Sequence, residues 1–212
     1  MASGEENPQD DAVPLLRMES VGRTGLDPVS LDLDAGTCCV IMGPSGAGKT
    51  LLLRAVADLD PHVGETYLAG HACSAMPGPR WRRQVTYVAA EPGWWDDHVA
   101  PHMEVPTEAV ALARRLDLPD DVMAAEVARL STGERLRLAV IRALIQTPSV
   151  LLLDEPTAAL DQHAAEKMSD LLIERRDAGL ALLIVTHDLG LADRMADQTR
   201  EMRHGHLDEG SP

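Results

Sequence analysis

Apolar positions along this chain fall into two periods. Cys38-Cys39-Val40-Ile41-Met42 is a short unbroken apolar run that stops at Gly43, the pattern of a strand buried on both faces of a parallel sheet. Residues 50–59 follow with helical spacing (Leu52, Leu53, Val56, Leu59) and are closed by Pro61. Residues 85–89, 150–153 and 181–185 are further apolar runs of strand length. The last two flank a helical segment over 161–178, which carries Met168, Leu171 and Leu172 on one face and meets Gly179 as its C-terminal cap. Strand, helix and strand joined this tightly predict a parallel sheet covered by helices. Residues 98–145 lack a strand pattern and read as an inserted helical subdomain. Residues 1–12 and 204–212 are polar and read as solvated tails, which leaves 13–203 as one domain.

Composition narrows the picture. The chain has 212 residues, 45% of them hydrophobic but only 2% aromatic and none Phe, so the core must come from Leu, Val, Ile, Ala and Met. A net charge of −15 argues against nucleic acid or an anionic membrane surface as the main partner. No apolar run approaches the ~18–20 residues of a membrane span, and the acidic N-terminus is unlike a signal peptide. Cys38, Cys39 and Cys73 are odd in number and lack metal-ligand spacing, which implies reduced thiols in the cytoplasm. Secreted, membrane-spanning and disulfide-framework classes are thereby excluded. Only Lys49 and Lys167 are lysines, so the place of Lys49 is informative.

Gly43-Pro44-Ser45-Gly46-Ala47-Gly48-Lys49-Thr50 fits G-x-x-x-x-G-K-[ST] between a strand and a helix. Such a loop points several backbone N–H groups at a phosphate, and the helix behind it adds the positive end of its dipole. Lys49 supplies a mobile charge for the β- and γ-phosphates, and the Thr50 hydroxyl is a Mg²⁺ ligand. Residues 150–153 lead directly into Asp154 and Glu155, two acids at the carboxyl edge of the sheet, where they reach the same crevice. There Asp154 serves the Mg²⁺ shell and Glu155 polarises the attacking water.

With these two motifs the chain resembles the nucleotide-binding subunit of ABC (ATP-binding cassette) transporters. The likeness runs over residues 14–203. Leu130-Ser131-Thr132-Gly133-Glu134 looks like the signature LSGGQ, with Arg137 and Arg142-Ala143-Leu144 in their usual places after it. Ala159-Leu160-Asp161 matches the loop at the dimer interface, and Thr186-His187-Asp188 matches the switch histidine. The resemblance implies an α/β P-loop NTPase core with a mostly parallel sheet, an N-terminal antiparallel β portion and an inserted helical subdomain. It also implies an ATPase that uses ATP and Mg²⁺, pairs with a second cassette and powers a separate membrane permease from the cytoplasmic face. Ser131 and Gly133 would contact the γ-phosphate held by the second subunit, Asp161 would line that interface, and His187 would contact the γ-phosphate and orient Glu155. Independently of the family, Ser131-x-x-Glu134 is a capping box, which makes the segment an anion-binding helix N-terminus. The other histidines, among them His98, His102, His204 and His206, read as surface residues.

Two departures stand out. Tyr87-Val88-Ala89-Ala90-Glu91-Pro92 puts Ala90 where the family carries a Gln that reaches Mg²⁺ and the water, while Glu91 should point the opposite way if the strand continues. Where the family stacks an aromatic ring on adenine, Val21-Gly22-Arg23-Thr24-Gly25 offers only the guanidinium plane of Arg23. Thr132 for the first signature Gly is a milder change. Three functions follow: a transporter ATPase, an ATP-binding regulatory cassette with weak hydrolysis, or a soluble non-transport ABC ATPase. Trp94-Trp95 has two readings, a docking contact for the permease or a packed subdomain hinge.

Overall fold

A computed structural model describes residues 13–208; the N-terminal tail expected over 1–12, and residues 209–212, lie outside them. Two strands, β1 (Leu16–Arg23) and β2 (Leu26–Leu33), open the fold as an antiparallel pair. Next come β3 (Cys38–Met42), α1 (Lys49–Val56), β4 (Val63–Leu68), β5 (His71–Ala72), α2 (Gly78–Gln84) and β6 (Val85–Val88). The region 98–145 holds short 3₁₀ turns, α3 (Pro106–Arg115) and α4 (Thr132–Leu144), with a single β-bridge between His98 and Glu126. After it come β7 (Val150–Asp154), α5 (Gln162–Asp177), β8 (Ala181–Thr186), α6 (Leu189–Met195), β9 (Gln198–Arg203) and β10 (His206–Leu207).

The strands form two sheets. One is antiparallel in the order β2-β1-β4-β5; the other runs β10-β9-β3-β8-β7-β6 and is parallel except for β10. Strand parity sorts the core into two layers. Cys39, Ile41, Leu152, Leu183 and Val185 face α1 and the antiparallel sheet, whereas Cys38, Val40, Leu151, Leu153 and Ile184 face α4, α5 and α6. Both faces of the parallel sheet are therefore covered, which is why its strands are apolar without alternation.

Local chemistry sets the element ends. α1 stops at Val56, three residues short of the expected end, because Asp58 adopts a left-handed φ of 54°. The N–H of Leu59 then donates to Arg54 O (2.9 Å) and that of Asp58 to Ala55 O (3.0 Å), a Schellman closure. The indole N–H of fully buried Trp81 satisfies Val56 O at 2.9 Å. α5 matches its expectation closely, with Asp161 as N-cap accepting from Ala164 N at 2.8 Å.

The segment from His204, expected as a solvated tail, is instead the turn and second strand of a hairpin on β9. Its anchor is Gly205, whose N–H donates to Ala47 O (2.7 Å) and whose carbonyl accepts from Asp27 N (2.9 Å). Leu207 is the one apolar residue of this short stretch, too little to mark a strand, and the partners of Gly205 lie far away in sequence. Gly205 has a φ of +84°, and a Cβ on it would sit 2.8 Å from Gly25 O, so no side chain fits without moving backbone. Gly205→Ala should therefore destabilise the fold by roughly 1–3 kcal/mol and weaken nucleotide binding by the adjoining loop. Thermal melting and nucleotide titration check this; unchanged values in both would show that the hairpin does not support the loop.

Candidate active site

The carboxyl edge of the parallel sheet opens on a cleft of about 370 Å³ lined by residues 45–51, Ala90, Asp154 and Glu155. Residues 43–50 leave β3 and enter α1 through Gly46 and Gly48, both at positive φ, and the left-handed Gly48 is the N-cap of α1. The loop thus turns toward the first N–H groups of the helix, an anion-receptive end. Lys49 is buried, and its Nζ donates to Gly43 O (2.6 Å) and Pro44 O (3.1 Å), so the ammonium is held by the carbonyls of its own loop.

Asp154 is 6% exposed and ends β7. Its Oδ2 accepts from Thr50 Oγ1 (2.8 Å) and from the Tyr87 hydroxyl (3.0 Å). Burial first, and then the charge of Asp154, push the phenol's ionisation above its usual range, so Tyr87 remains a donor. A carboxylate and a hydroxyl in contact beside a phosphate loop are hard oxygen donors that fit Mg²⁺. Among the described residues no group of three or more His, Cys, Asp or Glu could hold a metal.

Glu155 follows Asp154 but turns elsewhere. Its N–H continues the ladder to Val185 O (2.9 Å), while its φ of 48° places it in the left-handed region that non-glycine residues rarely occupy. That turn delivers the carboxylate to β8, where Oε2 accepts from Thr186 Oγ1 (3.0 Å) and Oε1 from His187 Nδ1 (2.9 Å). Glu155 is thereby oriented by two donors, and the proton of a neutral His187 is fixed on Nδ1. Thr186, fully buried, also accepts from Asp188 N (3.1 Å), and Asp188 in turn caps α6. Neither Tyr87 nor Thr186 received a role from sequence; their hydroxyls find partners only through strand register.

The remaining candidates divide. Ser131, Gly133 and Asp161 do not line the cleft of their own chain. Ser131 and Glu134 form a full capping box: Glu134 N donates to Ser131 Oγ (3.2 Å) and Ser131 N to Glu134 Oε2 (2.8 Å), with the Ser131 bonds holding the Glu134 carboxyl below its usual range. A Cβ on Gly133 would lie 2.8 Å from Ala159 O, so the signature and the Ala159-Leu160-Asp161 loop pack together within one chain. Arg23 does not line the cleft either; its guanidinium bonds Asp60 at 2.5 Å. Asp60 is also clamped by Arg54, and chiefly that bond lowers its carboxyl to about 2. The guanidinium expected at adenine is thus paired with Asp60 in this structure.

Beyond Ala90 the chain also departs from expectation. β6 ends at Val88, and Glu91 is exposed outside the cleft lining. His102, expected on the surface, is 2% exposed, with ring centroids 4.7 Å from Trp94 and 4.1 Å from Trp95. Arg142 of α4 donates to Gly93 O (3.1 Å) and lies 4.8 and 5.0 Å from the two indole rings. Trp94 packs on the core, so the hinge reading describes it; Trp95 is 70% exposed.

The ABC transporter family model matches residues 26–158. The chain belongs to the ABC transporter family. This ABC cassette is 35% identical over 192 residues to the probable iron export ATP-binding protein FetA of Escherichia coli (strain K12), covering 82% of this chain and 85% of that protein. It is 34% identical over 202 residues to the lipoprotein-releasing system ATP-binding protein LolD of Pseudomonas fluorescens, covering 86% and 88%. A solved ATP-binding cassette, a dimer in a post-hydrolysis state with ADP and phosphate, superposes with a TM-score of 0.82 over 92% of this chain and 97% of that one, at 22% identity. The fold is thus that of the ABC ATPase, and the chain is the ATP-binding subunit of an ABC transporter.

The Glu155 contacts generate a test. Thr186→Val keeps the shape but removes one donor to Glu155, at a cost of about 1.4 kcal/mol in the transition state. ATP turnover should fall about tenfold while ATP affinity stays within about twofold. Unchanged turnover would exclude a role for Thr186 in orienting the carboxylate.

Proposed function

We propose that this subunit hydrolyses ATP within a dimer of cassettes and so drives a separately encoded membrane permease from the cytoplasmic face of the cell membrane. The observation that carries the hydrolytic reading is Glu155, strained in backbone and held by Thr186 and His187 at the mouth of the phosphate cleft. A protein that only bound nucleotide would have no use for a second oriented carboxylate there. Among the described residues no helix is long and apolar enough to cross a membrane.

In this reading Lys49 exchanges the Gly43 and Pro44 carbonyls for phosphate oxygens, while N–H groups of the loop and of α1 cradle the phosphate chain. Thr50 and Asp154 would hold Mg²⁺, which would supply charge neutralisation at the phosphates. Glu155 takes the proton of the attacking water, and His187 steadies that carboxylate through Nδ1. Ser131 and Gly133 close on the nucleotide of the partner cassette. Their absence from the cleft of their own chain supports this, as does the dimeric assembly of the similar structure. Exposed Trp95, anchored by Arg142 on α4, is the contact for the permease.

Glu155→Gln keeps the shape of the site and removes the base. Turnover should fall about 100-fold or more, and Mg-ATP should trap a dimer visible in size-exclusion chromatography. Lys49→Ala, deprived of the loop's only ammonium, should stay monomeric. A Glu155→Gln protein that binds ATP yet remains monomeric rejects the sandwich.

Ala90 favours a second reading, a cassette that binds ATP and hydrolyses it slowly, because it gives the cleft only a methyl group. If the site lacks just a positioned amide, Ala90→Gln should raise steady-state turnover about tenfold, one regained hydrogen bond of ~1.4 kcal/mol, and Glu91→Ala should be indifferent. A flat or lowered rate for Ala90→Gln together with a damaging Glu91→Ala would show a repacked loop instead.

A further inference from the structure

We infer that Tyr87 is a positioning residue for the metal-facing carboxylate, doing from within β6 the orienting that Ala90, beyond the end of that strand, cannot do. The inference rests on the reading that Mg-ATP occupies this cleft. Tyr87 pairs with Leu152 across the parallel β6–β7 ladder, and strand parity puts Leu152 and Asp154 on one face. Asp154 lies two residues further along, ~6.6 Å, a span that the extended Tyr87 side chain bridges to bring its hydroxyl to 3.0 Å from Oδ2. A phenylalanine or methionine here would fill the same apolar space without reaching the carboxylate.

Asp154 Oδ2 takes two hydroxyl donors, Thr50 and Tyr87. They are not equivalent. Thr50 sits on the phosphate loop, and its oxygen is itself a candidate ligand, so its bond to Asp154 changes when a cation is bound. Tyr87 comes from a strand outside the loop, half-buried in the core, and no cation chemistry is required of it. It is therefore a fixed second anchor that sets the carboxylate's direction, as outer hydrogen bonds do for metal-ligating groups generally. Ala90 cannot share this role. That residue lines the cleft with no polar atom on its side chain, so Tyr87 is the side chain of β6 that bonds the carboxylate.

The test uses the full chain and a fluorescent ATP analogue, titrated in EDTA and at rising Mg²⁺, for wild type, Tyr87→Phe, Asp154→Asn and the double variant. Tyr87→Phe should need about five- to tenfold more Mg²⁺ for half-maximal strengthening of binding, while its metal-free affinity and its melting midpoint in EDTA stay at the wild-type values. In the Asp154→Asn background Tyr87→Phe should add nothing further, because it acts through that carboxylate. An unchanged Mg²⁺ requirement overturns the proposal, and so do additive effects in the double variant. Parallel losses of metal-free affinity and melting midpoint also overturn it, since Tyr87 would then be a packing residue. A wild-type protein whose binding ignores Mg²⁺ overturns instead the cation reading on which the proposal stands.

Discussion

Leu153 of β7 pairs with Ile184 and Asp154 with Val185 of β8, while on the other side Leu152 pairs with Tyr87 and Leu153 with Val88 of β6. Everything at the cleft depends on this register. A slip of one residue would turn Asp154 toward the helical layer and bury its carboxylate among Leu and Ile, an expensive outcome for an ion. The four apolar residues before Asp154 prevent it, since Val150 to Leu153 are buried completely and each fits one of the two core layers. The same burial that stabilises the sheet therefore aims its terminal acid.

Adjacent acids then separate by backbone geometry rather than by side-chain chemistry. Asp154 remains in the strand and points with its parity toward α1, where Thr50 stands. Glu155 leaves the strand at positive φ and swings to β8, where Thr186 and His187 wait. The strain of that turn is held by the ladder bond from its own N–H to Val185 O. The two neighbours in sequence thus draw on separate donors, Thr50 and Tyr87 for Asp154 and Thr186 and His187 for Glu155.

The signature and interface loops obey a different constraint. Gly133 can approach Ala159 O only because it lacks a Cβ, which brings the capped start of α4 against the loop that caps α5. Farther along α4, Arg142 reaches the Gly93 carbonyl and the two tryptophans. α4 thus carries the signature at its N-terminal end and holds the aromatic cluster near its C-terminal end.

Much of this was legible without coordinates. The parallel core, the phosphate loop, the acids at 154 and 155, the capping box and the span of α5 all rest on local rules: apolar runs, glycine placement, hydrogen-bonding residues at helix starts. Those rules act over a few residues, so linear order displays them. Tertiary structure alone decided which distant hydroxyls meet the acids, because Tyr87 and Thr186 are ordinary strand residues until register sets them beside Asp154 and Glu155. It likewise made His204 to Leu207 a hairpin behind the phosphate loop, since Gly205 is held by carbonyl and amide groups of Ala47 and Asp27, and backbone groups leave no mark in the side-chain pattern. Arg23 and His102 show the converse. An arginine and a histidine look available in sequence, but Asp60 engages the one and two indole rings enclose the other, because a folded chain places partners for charged and polar groups from far along its length.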